Sequence, residues 1–162
     1  MALASERVKL SEAGEAKARQ ILTRYLDKEA ALLPVLHVAQ DEFGWISPEC
    51  VLYVASLLDL APSKVDSALT FYTMFHRKPV GKYVIYVCRT LICSAVGAKK
   101  VLEYLKKKLG IGVGETTSDG RFTIEEAECL GLCDVAPVMM INHEPYDRLT
   151  EKRVDEILAS LP

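Results

Sequence analysis

The sequence predicts an α+β protein, with a helical first half followed by a second half in which strands and helices alternate. Three observations carry this. Between residues 15 and 75 apolar side chains recur at three- and four-residue intervals, the period of an amphipathic helix. From residue 82 the pattern changes to short runs rich in β-branched and aromatic residues, the mark of strands. Four cysteines follow two of those runs: Cys88 and Cys93, then Cys129 and Cys133.

Ala18, Ile21, Leu22, Tyr25 and Leu26 keep helical spacing and predict a first helix from about Glu15 to Lys28. A second runs from about Ala31 to Phe43, with Val35, Leu36, Ala39 and Phe43 on one face. Pro34 must lie in its first turn, where a missing N–H costs no hydrogen bond. After the turn Gly44-Trp45-Ile46, Ser47-Pro48 supplies a hydroxyl cap and a proline at the first helical position. That third helix aligns Val51, Val54, Ala55 and Leu58. Pro62-Ser63 opens a fourth, carrying Val65, Ala68, Leu69 and Tyr72 and continuing to Phe75. Four short helices with brief connections predict a small bundle. Its aromatic end, Phe71-Tyr72-Thr73-Met74-Phe75, is read as core, with a docking surface as the alternative.

The polar segment His76-Arg77-Lys78-Pro79-Val80-Gly81 predicts a boundary, giving a helical bundle over 1–78 and an α/β domain over 79–162. Tyr83–Val87 reads as a strand. Ala98, Val101, Leu102, Leu105 and Leu109 form a helical stripe that stops at Gly110, a favourable C-terminal residue. A Gly-rich turn over 112–120 leads to a strand at Phe122–Ala127. Val138–Asn142 and Tyr146–Leu149 form a further strand pair around Glu144-Pro145, and a last helix covers Glu151–Ser160. The order β-α-β-β-α over this length is that of a thioredoxin-like α/β layer. No internal repeat or low-complexity tract interrupts it.

Composition narrows the function. A chain of 162 residues, half hydrophobic and 26% charged, has the balance of a soluble globular protein with a substantial core. A net charge of −2 gives no reason to expect nucleic-acid or membrane-surface binding. Lys106-Lys107-Lys108 falls at a helix C-terminus, where cations suit the dipole. No apolar run approaches the roughly 20 residues a spanning helix needs, so no direct membrane insertion is expected. The opening Met-Ala-Leu-Ala-Ser-Glu-Arg has no apolar signal core and predicts a cytoplasmic location. Five cysteines without a secretory signal argue against a disulfide framework and fit four ligands plus a spare, Cys50. No Gly-x-Gly-x-x-Gly opens a helix after a strand, so this chain is not expected to bind a dinucleotide itself.

The four cysteines form a Cys-x4-Cys and a Cys-x3-Cys pair, with residues 94–128 between them. Thiolates delivered in this way select a soft metal centre. Structural zinc usually takes pairs with two intervening residues, whereas gaps of four and three suit a two-iron centre needing two sulfurs on each iron. Plant-type ferredoxin spacing clusters three cysteines, which does not occur here. A Rieske centre needs two histidines beside its cysteines, and His37, His76 and His143 are scattered. Spacing alone leaves [2Fe–2S], zinc and a redox dithiol open.

The stretch Asp119-Gly120-Arg121-Phe122-Thr123, followed after five residues by Cys129-Leu130-Gly131-Leu132-Cys133-Asp134-Val135-Ala136-Pro137, resembles the signature of the thioredoxin-like [2Fe–2S] subunit of NADH:quinone oxidoreductase. This is the respiratory complex I 24 kDa subunit family, also found in NAD-linked hydrogenases and formate dehydrogenases. Val87-Cys88-Arg89-Thr90-Leu91-Ile92-Cys93 resembles its first ligand pair. Gly44-Trp45-Ile46 and Thr70–Phe75 are similar to its helical part. The resemblance runs from about Leu22 to the end, with no departure at the ligand positions.

The resemblance implies one [2Fe–2S] cluster on Cys88, Cys93, Cys129 and Cys133. It further implies FMN and NADH on a partner flavoprotein subunit, and a place peripheral to the inner membrane within a larger complex. A thioredoxin-like ferredoxin carrier, alone or as a homodimer, is the rival, but such carriers generally lack the helical half. Cys88 is expected at a strand end and Cys93 at the start of the following helix, with N–H groups offered to sulfur. Gly97 and Gly131 are expected to let backbone approach sulfur closely. Arg89 and Asp134 read as solvated charges near the cluster, and Cys50 as a small buried residue. In proteins of thioredoxin type a proline at the position of Pro137 is often cis.

Overall fold

The computed structural model of the chain describes residues 8–162. The reading of the first seven residues as lacking an apolar leader lies outside the described residues. Contacts divide the chain into one compact unit ending at Pro79 and another spanning Val80–Pro162.

The first unit is helical. Helix α1, Glu12–Leu22, starts at Ser11, whose hydroxyl accepts from the Gly14 N–H at 3.1 Å. It stops well short of Lys28, because the Arg24 and Tyr25 N–H groups reach back three residues to the Ile21 and Leu22 carbonyls and tighten the last turn. Tyr25 and Leu26, included by spacing, stand exposed. A 3-10 turn, Glu29–Ala31, feeds α2, Leu32–Phe43, with Pro34 in its first turn. Gly44 ends α2 at φ +78°, a conformation glycine adopts without strain. Helix α3, Pro48–Leu58, is capped by Ser47, whose hydroxyl accepts from the Cys50 N–H at 3.2 Å.

Helix α4, Pro62–Phe71, ends before Phe75, since Tyr72 turns to an extended conformation. Gln40 of α2 holds the chain beyond it: its side-chain N–H donates to the Met74 carbonyl at 2.8 Å and its Oε1 accepts from the His76 N–H at 2.7 Å. The aromatic end therefore splits. Phe75 is buried against His37, ring centroids 4.8 Å apart, while Phe71 and Tyr72 are exposed. Val35, Leu36, Ala39, Val54, Leu58 and Val65 form the dry centre of this unit.

The second unit is a four-stranded sheet of order β2-β1-β3-β4. Strand β1, Tyr83–Cys88, lies inside it and is buried along its length. Strand β2, Phe122–Ala127, pairs with it in parallel, with Cys88 opposite Ala127. Between them run a short helix α5, Leu91–Ala95, and the long α6, Ala98–Leu109, which Gly110 stops at φ +69°. Strands β3, Met139–Ile141, and β4, Glu144–Tyr146, extend the sheet antiparallel, and α7, Glu151–Ser160, follows. Ile85, Val87, Leu105, Ile124 and Met139 fill the core.

The hairpin turns two residues earlier than its proline predicts. Asn142 takes φ +54°, its N–H donates to the Val84 carbonyl and its side-chain oxygen accepts from the Val84 N–H, both at 2.9 Å. Those bonds fix the turn at Asn142-His143 and shift β4 to Glu144–Tyr146, away from Tyr146–Leu149. Pro145 is tolerated because β4 is an edge strand.

Entry into β1 depends on Gly81. Its N–H donates to the buried Thr123 Oγ1 at 2.7 Å, and a Cβ added there would lie 2.8 Å from the Phe122 backbone nitrogen and carbonyl carbon. Backbone cannot rotate out of the way as a side chain does. Gly81→Ala is expected to destabilise the protein by about 1–3 kcal/mol, the usual cost of overpacking. A thermal melt reads this directly; an unchanged midpoint would show that the strand shifts freely.

Candidate metal centre

Parallel pairing brings the C-terminal ends of β1 and β2 to one edge of the sheet. Cys88 closes β1 and is 1% exposed. Its N–H donates to the Val138 carbonyl at 3.2 Å, and the next N–H, of Arg89, to the Ala127 carbonyl at 3.0 Å. The chain then turns at Thr90 into α5, where Cys93 is also 1% exposed. From β2 the chain passes through Glu128 to Cys129, Leu130 and Gly131, and Cys133 opens a 3-10 turn, Cys133–Val135. Cys129 and Cys133 face solvent. A cis Ala136–Pro137 peptide then returns the chain to Val138, beside Cys88.

The sulfurs act on one another in two pairs. Cys88 and Cys93 are within hydrogen-bond reach, as are Cys129 and Cys133. Burial pushes the Cys88 thiol up, but hydrogen bonds from the Thr90 hydroxyl, the Leu130 and Thr90 N–H groups and Cys93 bring it below its ordinary value. Cys93 is raised, first by burial and then by Cys88 and the charge of Cys133, against an N–H from Val138. Cys133 is raised by loss of solvent, then by Cys129, Cys88 and Asp134. Cys133 thus couples the second pair to the first. Among the described residues no three or more His, Cys, Asp or Glu side chains are drawn tightly enough to clasp a single ion as they stand. Two pairs can instead give two thiolates to each of two metal atoms.

All four cysteines singled out by spacing therefore meet at one end of the sheet. Cys50 does not: it is buried in α3 of the other unit, and burial lifts its thiol to about 11, the environment of an inert packing residue. Gly131 has φ +78° and its N–H points at Cys129 Sγ at 3.4 Å. Gly97 plays a different part from the one expected. Its N–H goes to the Ser94 carbonyl, and at φ +112° it separates α5 from α6. Cys93 accordingly sits in a five-residue helix, and the N–H that reaches its sulfur is that of Val138 across the fold. Arg89 is ion-paired: its Nε donates to Glu128 Oε1 at 2.9 Å, so the residue after the first cysteine and the residue before the third clasp each other.

Thr90, Glu128, Leu130 and Val138 were given no individual role from the sequence, although Thr90 and Leu130 stand within the cysteine motifs. Thr90 carried the one available signal, a hydroxyl two residues after a candidate ligand.

Residues 18–162 match a family described as thioredoxin-like [2Fe-2S] ferredoxin. An NADH-quinone oxidoreductase subunit of Mycobacterium tuberculosis is 40% identical over 147 residues, covering 91% of this chain. The chain spans only 58% of that relative's own length. A second relative, the NADH-quinone oxidoreductase subunit 2 of Thermus thermophilus, is 42% identical over 135 residues, covering 83% of this chain and 75% of the relative. A solved NAD+-reducing [NiFe]-hydrogenase in its H2-reduced state is similar at TM-score 0.71 and 26% identity, over 81% of this chain and 22% of the hydrogenase chain. Among the described residues no helix is long and apolar enough to cross a membrane.

Proposed function

The chain belongs to the thioredoxin-like [2Fe–2S] ferredoxin family, and from that premise we propose that it is the small iron–sulfur subunit of an NADH-oxidising flavoprotein module. NADH:quinone oxidoreductase is the parent complex that the names of its relatives favour. In this reading Cys88, Cys93, Cys129 and Cys133 hold one [2Fe–2S] cluster, and a partner subunit carries FMN and NADH. Bound there, the cluster supplies a one-electron store. The chain's own residues bind it, shield one side and set its charge balance. The single observation that carries the ligand assignment is the β1–β2 register, which puts Cys88 opposite Ala127 and so sets both cysteine loops at one sheet edge.

The donor chemistry fits. Four thiols suit iron and sulfide. Cys88 and Cys93 are walled off from water, while Cys129 and Cys133 remain on the surface, where a partner can approach. Likeness to an NAD+-reducing hydrogenase favours a second reading, the equivalent subunit of a hydrogenase module. Both readings place the same cluster on the same residues.

Anaerobically purified protein is expected to be red-brown, with about two irons and two acid-labile sulfides per chain and negligible zinc. Dithionite should reduce it by one electron and give an S = 1/2 EPR signal. A colourless protein with one zinc per chain would overturn the cluster assignment.

A further inference from the structure

Several helices of this protein begin at a hydroxyl residue, and one of these uses its hydroxyl differently. Ser11, Ser47 and Thr150 each accept a hydrogen bond from the N–H three residues on, at 3.1, 3.2 and 3.2 Å, the ordinary work of an N-cap. Thr90 occupies the same position at the start of α5, in the same extended conformation, yet makes no side-chain cap. Its Oγ1 lies 3.3 Å from Cys88 Sγ instead. A helix of five residues has most to gain from a cap, so the diverted hydroxyl calls for another cause.

We propose that Thr90 is a positioning residue for the cluster, its hydroxyl donating a hydrogen bond to the Cys88 sulfur and raising the reduction potential. The direction follows from proton inventory. A free thiol and a hydroxyl can each donate, but a ligating thiolate has no proton left, so only Thr90 can. Such a bond grows stronger as negative charge on the sulfur grows, and it therefore favours the reduced state over the oxidised one. Cys88 is the place where this matters, because its sulfur is shut away from water and protein donors take the place of solvent. The inference rests on the cluster assignment above.

The test is potentiometric titration of the purified protein and of three variants, followed by EPR, with iron and sulfide measured on each sample. Thr90→Val keeps the shape and removes the donor. It should shift the one-electron equilibrium about tenfold toward the oxidised state, which is about 59 mV more negative. Thr90→Ser restores a hydroxyl and should return close to the parent value. Should Thr90→Val assemble poorly, Thr90→Ala reads the same quantity without a β-branch. A hydroxyl donor also predicts an exchangeable proton coupled to the reduced centre of the parent protein, lost in the variants lacking it. Equal potentials in parent and Thr90→Val, or Thr90→Ser shifted as far as Thr90→Val, would overturn the role of Thr90. A parent protein without iron and sulfide would instead overturn the cluster assignment itself.

Discussion

Cys129→Ala is expected to reduce iron and labile sulfide from about two per chain to near zero, with loss of the visible colour and the EPR signal. One iron would be left with a single thiolate. Cys129 and Cys133 lie close on the loop after β2, and the candidate pair on the other side is already used by Cys88 and Cys93. The same loss is expected for Cys88→Ala, Cys93→Ala and Cys133→Ala. Cys50→Ala is the control, since it is buried in the helical unit at 1% exposure and should retain the full complement. Truncating so small a buried side chain should cost about 1–2 kcal/mol, at the low end of core truncations. Iron content separates the two classes, and thermal stability shows whether any loss is merely unfolding. Equal cluster loss in Cys50→Ala and Cys129→Ala would show the ligand set to be wrong.

The four cysteines of the candidate site could be singled out before the fold was known, because metal chemistry restricts residue type and spacing more strongly than secondary structure does. Cys88, Cys93, Cys129 and Cys133 could be proposed from thiolate chemistry and their places after two strands. Their surroundings could not, since the donors to those sulfurs come from backbone. The Leu130 and Val138 N–H groups reach Cys88 and Cys93 only because β1 and β2 run parallel and the chain returns through Pro137. An N–H group carries no sequence signature.

The elements show the same division. α3, α6 and α7 matched their sequence boundaries closely, each being fixed by a local signal: Ser47-Pro48, Gly110 and the Thr150 cap. α1 was overextended where apolar residues continued the helical period without being buried, as at the fully exposed Leu26. α4 was carried on to Phe75, which is buried but lies beyond the extended turn at Tyr72. Periodicity counts apolar side chains, whereas the end of a helix is set by where its last carbonyls find partners. In α4 the decision belongs to Gln40, more than thirty residues upstream, which grips the backbone at Met74 and His76. In the β3–β4 hairpin it belongs to Asn142, whose side chain is paired with Val84.

Those exposed rings give the second large expected effect. Phe71 and Tyr72 meet edge to face at 5.0 Å on the surface of the helical unit, and Phe75, which sequence grouped with them, is spent on the core. Two adjacent exposed aromatics have the composition of an interface centre. The partner proposed above is an FMN-bearing flavoprotein, and substituting a central aromatic typically costs about 2 kcal/mol or more of binding. Phe71→Ser combined with Tyr72→Ser is therefore expected to weaken copurification with the flavoprotein by two or more orders of magnitude. Iron content and potential should not change, because the four candidate ligand cysteines belong to the other unit. Neither side chain is buried, so folding should survive, and circular dichroism checks that. Undiminished association would place the docking surface on the unit that carries the cysteines. The isolated chain, lacking a dinucleotide fingerprint, should neither bind NADH tightly nor oxidise it. NADH oxidation by the chain with no flavoprotein present would overturn the subunit reading altogether.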